Sequence, residues 1–178
     1  MKKAIFLDRD GTLNYSLKKK NSNKVRPPYK ISELKFYEDI HELKKYSKEY
    51  LLIVVTNQPD IRRGKQKYYF NRYINNELKK IIPIKKIYTC YCLEKESNCN
   101  CYKPKPEMIF KAQKKYQIDL KKSYMIGDTW RDIGLGNNSG CISILIDRKY
   151  DKSLTKLNQY RPKFIINEFF ELKKIIKS

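Results

Sequence analysis

The 178-residue sequence predicts an α/β fold: a doubly wound, Rossmann-like parallel sheet flanked by helices. Three observations predict it. Short, continuous apolar runs alternate with segments of helical period. Acidic and polar residues stand directly after several of the apolar runs. No stretch of linker composition divides the chain, so residues 1–178 are expected to form a single domain, long enough to bury a core without covalent staples.

The first run, AIFL at 4–7, passes straight into DRDG, which puts Asp8 and Asp10 after a strand and before a glycine turn. A run apolar at successive positions suits a strand covered on both faces. Residues 15–35 are basic and polar with a Pro27–Pro28 pair, and are expected to form a long loop. Ile40, Leu43, Tyr46 and Tyr50 then recur at helical spacing. LLIVV at 51–55 is the second strand, followed by Thr56, Asn57 and Gln58. A helix is expected where Tyr69/Phe70, Tyr73/Ile74, Leu78 and Ile81/Ile82 repeat. KIYT at 86–89 is the third strand, and residues 90–105 form a second loop holding four cysteines and KPKP. Met108, Ile109, Ala112 and Tyr116 mark the next helix. SYMI at 123–126 is the fourth strand, leading to Gly127, Asp128 and Asp132, and ISILI at 142–146 is the fifth. The amphipathic stretch 168–176 closes the chain with Phe169, Phe170, Leu172, Ile175 and Ile176.

Composition narrows the classes of function. No apolar run approaches the roughly 20 residues of a membrane span. The basic start MKKAIFLDRD has an apolar run that stops at Leu7, too short for a signal-peptide core, so a cytoplasmic protein is expected. Forty Lys and Arg against 19 Asp and Glu give a net charge of +21. That excess fits a surface seeking phosphate, on nucleic acid or on an anionic metabolite. It equally fits a biased composition in which Lys, Asn, Ile and Tyr are abundant together. The lysines are dispersed rather than gathered in one arm, which suits solvated helix faces and leaves nucleic acid as the less favoured partner.

In a doubly wound sheet, ligands gather beyond the C-terminal ends of the strands. There the sequence delivers Asp8, Asp10, Thr56, Asn57, Gln58, Asp128 and Asp132. A carboxylate can attack phosphorus and hold the group as an acyl phosphate. A second acid two residues on can protonate the leaving oxygen and then deprotonate water. Clustered acids repel unless a hard cation such as Mg²⁺ sits among them, with substrate phosphate completing its shell. In the cysteine loop, Cys90-x-Cys92, six residues and Cys99-x-Cys101 can close a tetrahedral structural zinc site. Disulfides are the rival, disfavoured in a cytoplasmic chain, and loose thiols are the remaining alternative. Cys141 is expected to be a small buried residue and His41 a surface residue, while Trp130 either stacks over the substrate mouth or packs a helix.

FLDRDGTLN, VVTNQ, KPKP and IGDTWRD resemble the four motifs of the haloacid dehalogenase superfamily of phosphatases, over nearly the whole chain. The resemblance implies that Asp8 is the nucleophile and Asp10 the general acid/base. Thr56 would bind the transferring phosphoryl group and Lys103 would neutralise its charge. Asp8, the Asp10 carbonyl and Asp128 would ligate Mg²⁺, with Asp132 in the outer sphere. The gaps 11–55 and 57–102 leave no room for an inserted cap domain, so a capless enzyme is expected.

The cysteine loop ahead of Lys103, with TNQPDIRRG and CNCYKPKPEM, is similar to the branch of histidinol-phosphate and D-glycero-D-manno-heptose 1,7-bisphosphate phosphatases. In that branch a histidine is usual where Cys92 stands, a substrate-binding arginine where Tyr102 stands, and a lysine is frequent at Thr129. The missing positive charge would come from Arg9, Arg62, Arg63, Arg131 or the lysines of the 15–35 loop. Thr56, Asn57, Gln58, Tyr102 and Lys103 are expected to contact substrate. The expected activity is hydrolysis of a heptose bisphosphate on the way to a nucleotide-activated heptose, by a monomer. Histidinol phosphate is the first alternative, and a nucleic-acid 3′-phosphatase or binding module is the second.

Overall fold

The computed structural model describes residues 1–19, 25–149 and 159–176. In chain order the elements are β1 (Lys3–Leu7), β2 (Leu17–Lys18), β3 (Val25–Arg26), 3-10 helices Ile31–Glu33 and Glu38–Tyr46, β4 (Tyr50–Asn57), α1 (Pro59–Arg62) and α2 (Tyr68–Ile81). There follow β5 (Ile84–Cys90), α3 (Glu107–Tyr116), a 3-10 turn Leu120–Lys122, β6 (Tyr124–Gly127), α4 (Trp130–Ser139), β7 (Ile142–Ile146), β8 (Phe164–Ile166) and the 3-10 helix Phe169–Lys174. Six strands form one sheet in the order β5-β4-β1-β6-β7-β8, each pair parallel. The chain winds outward from β1 to one edge, returns, and winds to the other. The strand order therefore reverses beside β1, between it and β6, where a crevice opens.

Alternation along the strands sorts the core into two layers. Ile5, Leu7, Val54 and Ile126 face one side, with Ile40 and Leu43, with Phe70, Ile74 and Leu78 of α2, and with Phe169 and Leu172. Ala4, Phe6, Ile53, Val55 and Met125 face the other, with Met108, Ile109 and Ala112 of α3 and Leu135 of α4. All five predicted strands are present. Among the described residues no helix is long and apolar enough to cross a membrane.

Several local expectations need correction. Tyr50 does not extend the preceding helix; it opens β4, paired in register with Lys3, and that helix is a 3-10 helix ending at Tyr46. The described residues of the 15–35 segment do not form an open loop. β2 and β3 pair antiparallel, Leu17 with Arg26 and Lys18 with Val25, and the Tyr15 N–H donates to the Lys35 carbonyl at 2.9 Å. Lys20 lies outside the described residues. Among the elements beyond the sequence reading are the edge strand β8 and α4, which carries Gly134 and Gly136 in its interior. A Cβ at Gly136 would lie 2.9 Å from that of Ser143 and 3.1 Å from that of Met125, so the missing side chain lets α4 settle against the sheet.

The loop after β1 is joined to the far end of the chain through a buried ion pair. Arg148 forks onto Asp39 at 2.9 and 3.0 Å, with the two side chains 6% and 8% exposed. The same guanidinium donates to the Thr12 carbonyl at 3.1 Å, and Asp39 accepts the Phe169 N–H at 2.8 Å. Removing one partner of a buried pair leaves an uncompensated charge. Arg148→Ala is therefore expected to destabilise the protein by about 3–5 kcal/mol. Urea denaturation checks this, and a loss below about 1 kcal/mol, as for an exposed pair, would contradict it.

Candidate active site

Three strand ends and one loop build the site. β1 runs buried to Leu7, and its ladder continues as the Asp8 N–H donates to the Ile126 carbonyl at 2.9 Å. The chain then turns tightly: the N–H groups of Leu13 and Asn14 donate to the Arg9 carbonyl at 2.8 and 3.1 Å. Gly11 has φ of 100°, a conformation that a side chain would strain, which is why a glycine follows the acid pair. β4 ends in Thr56 and Asn57. β6 ends in Gly127, after which Asp128 and the first turn of α4 carry Asp132.

The two acids of DRD separate. Asp8 is buried and faces the ammonium of Lys103, which donates to it, to Asp132 Oδ1 at 2.6 Å and to the Val55 carbonyl at 3.1 Å. Burial pushes the Asp8 carboxyl up to about 6, against the pull of Lys103. Burial alone would lower the ammonium, but Asp132 and Asp8 outweigh it and hold it above its ordinary value. Asp10 turns the other way. It accepts from Arg9 at 3.0 and 3.3 Å, from Asn14 Nδ2 at 3.0 Å and from Gln58 Nε2 at 2.5 Å. Arg9, fully buried, directs two further donors to Asn71 and Asn75 at 2.5 and 2.8 Å. The general-acid candidate is thus gripped by four side-chain hydrogen bonds while its own side chain stays 12% exposed.

Carboxylate oxygens of Asp8, Asp128 and Asp132 lie within 4.8 Å of one another, and all three residues are buried. Lys103 balances part of that charge, and hard oxygen donors converging this closely fit a Mg²⁺ ion. Asp128 also accepts from Thr12 Oγ1 at 3.0 Å. Asp132 Oδ2 accepts from the N–H and hydroxyl of Thr129 at 3.1 and 2.6 Å, capping α4.

Asn57 and Gln58 line the cleft but also have structural partners. Asn57 Oδ1 accepts the Lys103 N–H at 3.1 Å, and Gln58 bridges Asp10 and Thr56 Oγ1. The cleft, about 210 Å³, is lined further by Tyr102, Thr129, Arg131, Asp60, and by Ser16, Val25, Arg26 and Pro27 of the 15–35 segment, which forms a strap beside it. Arg26 went unnoticed in the sequence, where the lysines of this segment drew attention. It forks onto Glu33 at 2.8 and 2.9 Å, while Tyr29 donates to Asp60 at 2.6 Å. Trp130 is not among the lining residues; it stacks on Tyr160 at 6.2 Å with rings 4° apart, the packing alternative. His41 is exposed and Cys141 buried, both as expected.

The sulfurs of Cys90, Cys92, Cys99 and Cys101 also lie within 4.8 Å of one another, none in a disulfide. Separations of 3.6, 3.7 and 3.9 Å match the edge of about 3.8 Å of a tetrahedron with roughly 2.3 Å zinc–sulfur bonds; Cys90 and Cys101 sit closer, at 2.6 Å. The thiols share protons unequally without a metal: burial holds Cys90 up, and the hydrogen bond with Cys99 raises Cys92 to about 11. At Cys99 burial is outweighed by hydrogen bonds from Cys92 and from the Tyr102 and Cys101 backbones, which bring its thiol down to about 7. The donor set fits zinc.

This fold and site define a haloacid dehalogenase-like hydrolase. The HAD-hydrolase-like family model matches residues 100–172. A D,D-heptose 1,7-bisphosphate phosphatase from B. bronchiseptica, solved with magnesium and phosphate, superposes with a TM-score of 0.80 over 97% of both chains at 19% identity, a likeness of fold. The D-glycero-alpha-D-manno-heptose-1,7-bisphosphate 7-phosphatase of Campylobacter jejuni is 36% identical over 97% of this chain and 98% of its own. The corresponding beta-anomer enzyme of Helicobacter pylori is 38% identical over 77% and 79%. The chain belongs to the heptose-1,7-bisphosphate 7-phosphatase family of haloacid dehalogenase-like phosphatases.

Gly127 marks how tightly the site is assembled. A Cβ there would stand 2.3 Å from the Asp132 Cβ. Gly127→Ala is expected to push Asp132 from Lys103 and to cost about 1–3 kcal/mol, as overpacking does. An unchanged unfolding midpoint in denaturant would contradict this.

Proposed function

We propose that the protein is a Mg²⁺-dependent phosphatase that removes one phosphate from D-glycero-D-manno-heptose 1,7-bisphosphate, in the biosynthesis of a nucleotide-activated heptose in the cytoplasm. The observation that carries the reading is the buried Asp8–Lys103–Asp132 trio beside Asp128, at the C-terminal ends of parallel strands. The full-length likeness to the Campylobacter jejuni enzyme supplies the substrate class. A cleft of about 210 Å³ suits a sugar phosphate better than a polynucleotide.

An Asp8 carboxylate oxygen attacks phosphorus as the phosphorus–oxygen bond to the sugar lengthens and breaks. Asp10, protonated, gives its proton to the leaving sugar oxygen. Asp10 lines the cleft, and the grip of Arg9, Asn14 and Gln58 suits its carboxylate form, the one the second step needs. The Asp10 carboxylate then takes a proton from water, whose oxygen attacks the aspartyl-phosphate, freeing Asp8 and inorganic phosphate. Lys103 stays charged throughout and neutralises oxygens that gain charge in both transition states. Thr56 offers its hydroxyl to the same group. Mg²⁺, when bound, supplies a hard cation against the phosphoryl oxygens; Asp8, the Asp10 carbonyl and Asp128 would hold it, with Asp132 in the outer sphere. Zinc on Cys90, Cys92, Cys99 and Cys101 would be structural, since four thiolates leave no position for water.

A panel of sugar mono- and bisphosphates, histidinol phosphate and 3′-phosphorylated oligonucleotides tests the substrate. The heptose bisphosphate is expected to give the highest kcat/KM, and preference for either of the others would overturn the reading. Asp8→Asn is expected to abolish turnover. Lys103→Ala should cost on the order of 10²-fold or more in kcat/KM, comparable to losing a transition-state donor. Lys105, exposed and donating to the Cys99 carbonyl at 2.5 Å, should change it only a few-fold when replaced by Ala. Equal effects at the two lysines would show the charge to be assigned to the wrong one. Metal analysis should find about one zinc per chain. A stably zinc-free protein with full activity in Mg²⁺ would count against a structural zinc.

A further inference from the structure

A substrate with a second phosphate needs a cation in the cleft beyond Lys103. The structure eliminates most of the possible donors. Arg9 is fully buried and committed to Asp10, Asn71 and Asn75. Arg62 pairs with Glu96 at 2.5 Å and Arg63 with Asp60 at 3.0 Å, and neither lines the cleft. Lys18 and Lys19 do not line it either. Beyond Lys103, Arg26 and Arg131 are the cations that do, among the described residues.

These two arginines are not equally available. Arg26 has both terminal nitrogens on Glu33 and one of them also on the Pro27 carbonyl at 3.0 Å, so its fork is spent within its own strap. Arg131 gives one terminal nitrogen to Glu94, and its Nε is buried with no hydrogen-bond partner. The side chain is 28% exposed where it lines the cleft, so its terminal nitrogens are within reach of phosphate oxygens there. The guanidinium lies 4.7 Å over the ring of Trp130, itself stacked on Tyr160, so an aromatic platform fixes its plane. Glu94 is 49% exposed, so its carboxylate keeps water within reach.

We propose that Arg131 is the specificity-determining residue that receives the second phosphate of a sugar bisphosphate, and that Glu94 holds the guanidinium in place until that phosphate displaces it. The assignment rests on the bisphosphate reading above. Two oxygens of one phosphate can accept from the Arg131 fork, a stronger and more directional contact than a lysine ammonium gives. Trp130 thereby gains a role beneath the cation rather than over the substrate.

The test compares kcat/KM for heptose 1,7-bisphosphate with that for heptose 7-phosphate, in the wild type and in R131M, R131K, R26M and E94Q. The wild type is expected to prefer the bisphosphate. In R131M that preference should fall by about 10- to 10²-fold, the value of one or two charge-assisted hydrogen bonds, with the change carried by KM rather than kcat. R131K should recover part of it, and E94Q should lower KM for the bisphosphate a few-fold. If R131M does not fold, R131K and E94Q give the same readout, and wild-type preference in both would overturn the proposal. A wild-type enzyme that prefers the bisphosphate while R131M keeps that preference, or R26M alone loses it, assigns the wrong arginine. A wild-type enzyme that does not distinguish the two substrates overturns the bisphosphate reading itself, and this assignment with it.

Discussion

One ammonium organises this molecule. Lys103 is 4% exposed, and a lone charge so placed would shed its proton. It stays charged because two buried carboxylates meet it, and they in turn can stand close together because it is there. Everything nearby serves to bring that nitrogen to one point. Asn57 at the end of β4 holds its backbone N–H. The cysteine cluster ends two residues earlier, at Cys101. On the following side α4 comes in so close that a Cβ on Gly134 would lie 2.8 Å from that of Pro104. A loop residue is thus located as firmly as a strand residue, without ladder hydrogen bonds of its own.

The charge of the chain and the charge of the site have opposite signs. The surface carries the excess that makes +21, yet the cleft lining holds Asp8, Asp10, Asp60, Asp128 and Asp132 against Arg26, Lys103 and Arg131. The diffuse field draws anions toward the molecule, whereas an anion is accepted in the cleft by a few fixed cations and by any divalent ion the acids hold. An acidic hollow in a basic surface also explains why composition was a poor guide to partner class.

Much of this was legible in the sequence, and for identifiable reasons. Strands buried on both faces must be apolar at successive positions, so AIFL and LLIVV stand out. The acids sit after them because the crevice of a doubly wound sheet lies there. Four cysteines in twelve residues announce themselves by spacing. What escaped was either short or distant. β8 has three residues, and Phe164 and Ile165 are 36% and 62% exposed, so it has neither length nor alternation to detect. α4 was hidden by glycines that lower helix propensity but permit close packing. The Arg148–Asp39 pair joins residues 109 positions apart, and no local pattern encodes it. The grip on Asp10 depends on Asn14 and Gln58, whose relation appears only once β1 and β4 lie side by side.

The strap beside the cleft has a consequence for selectivity. Besides the Arg26–Glu33 fork and the Tyr29–Asp60 bond, Gln66 Nε2 donates to the Pro28 carbonyl at 2.7 Å, so residues 26–33 are tied down at several points. Enzymes that close a mobile cover over their substrate often have turnover set by its reopening. Here the rim of the mouth is bonded in place, and the described residues include no second domain to swing over it. The described part of the rim is held by side-chain bonds on both sides of the mouth. Discrimination then falls on that rim and on the few charges within it.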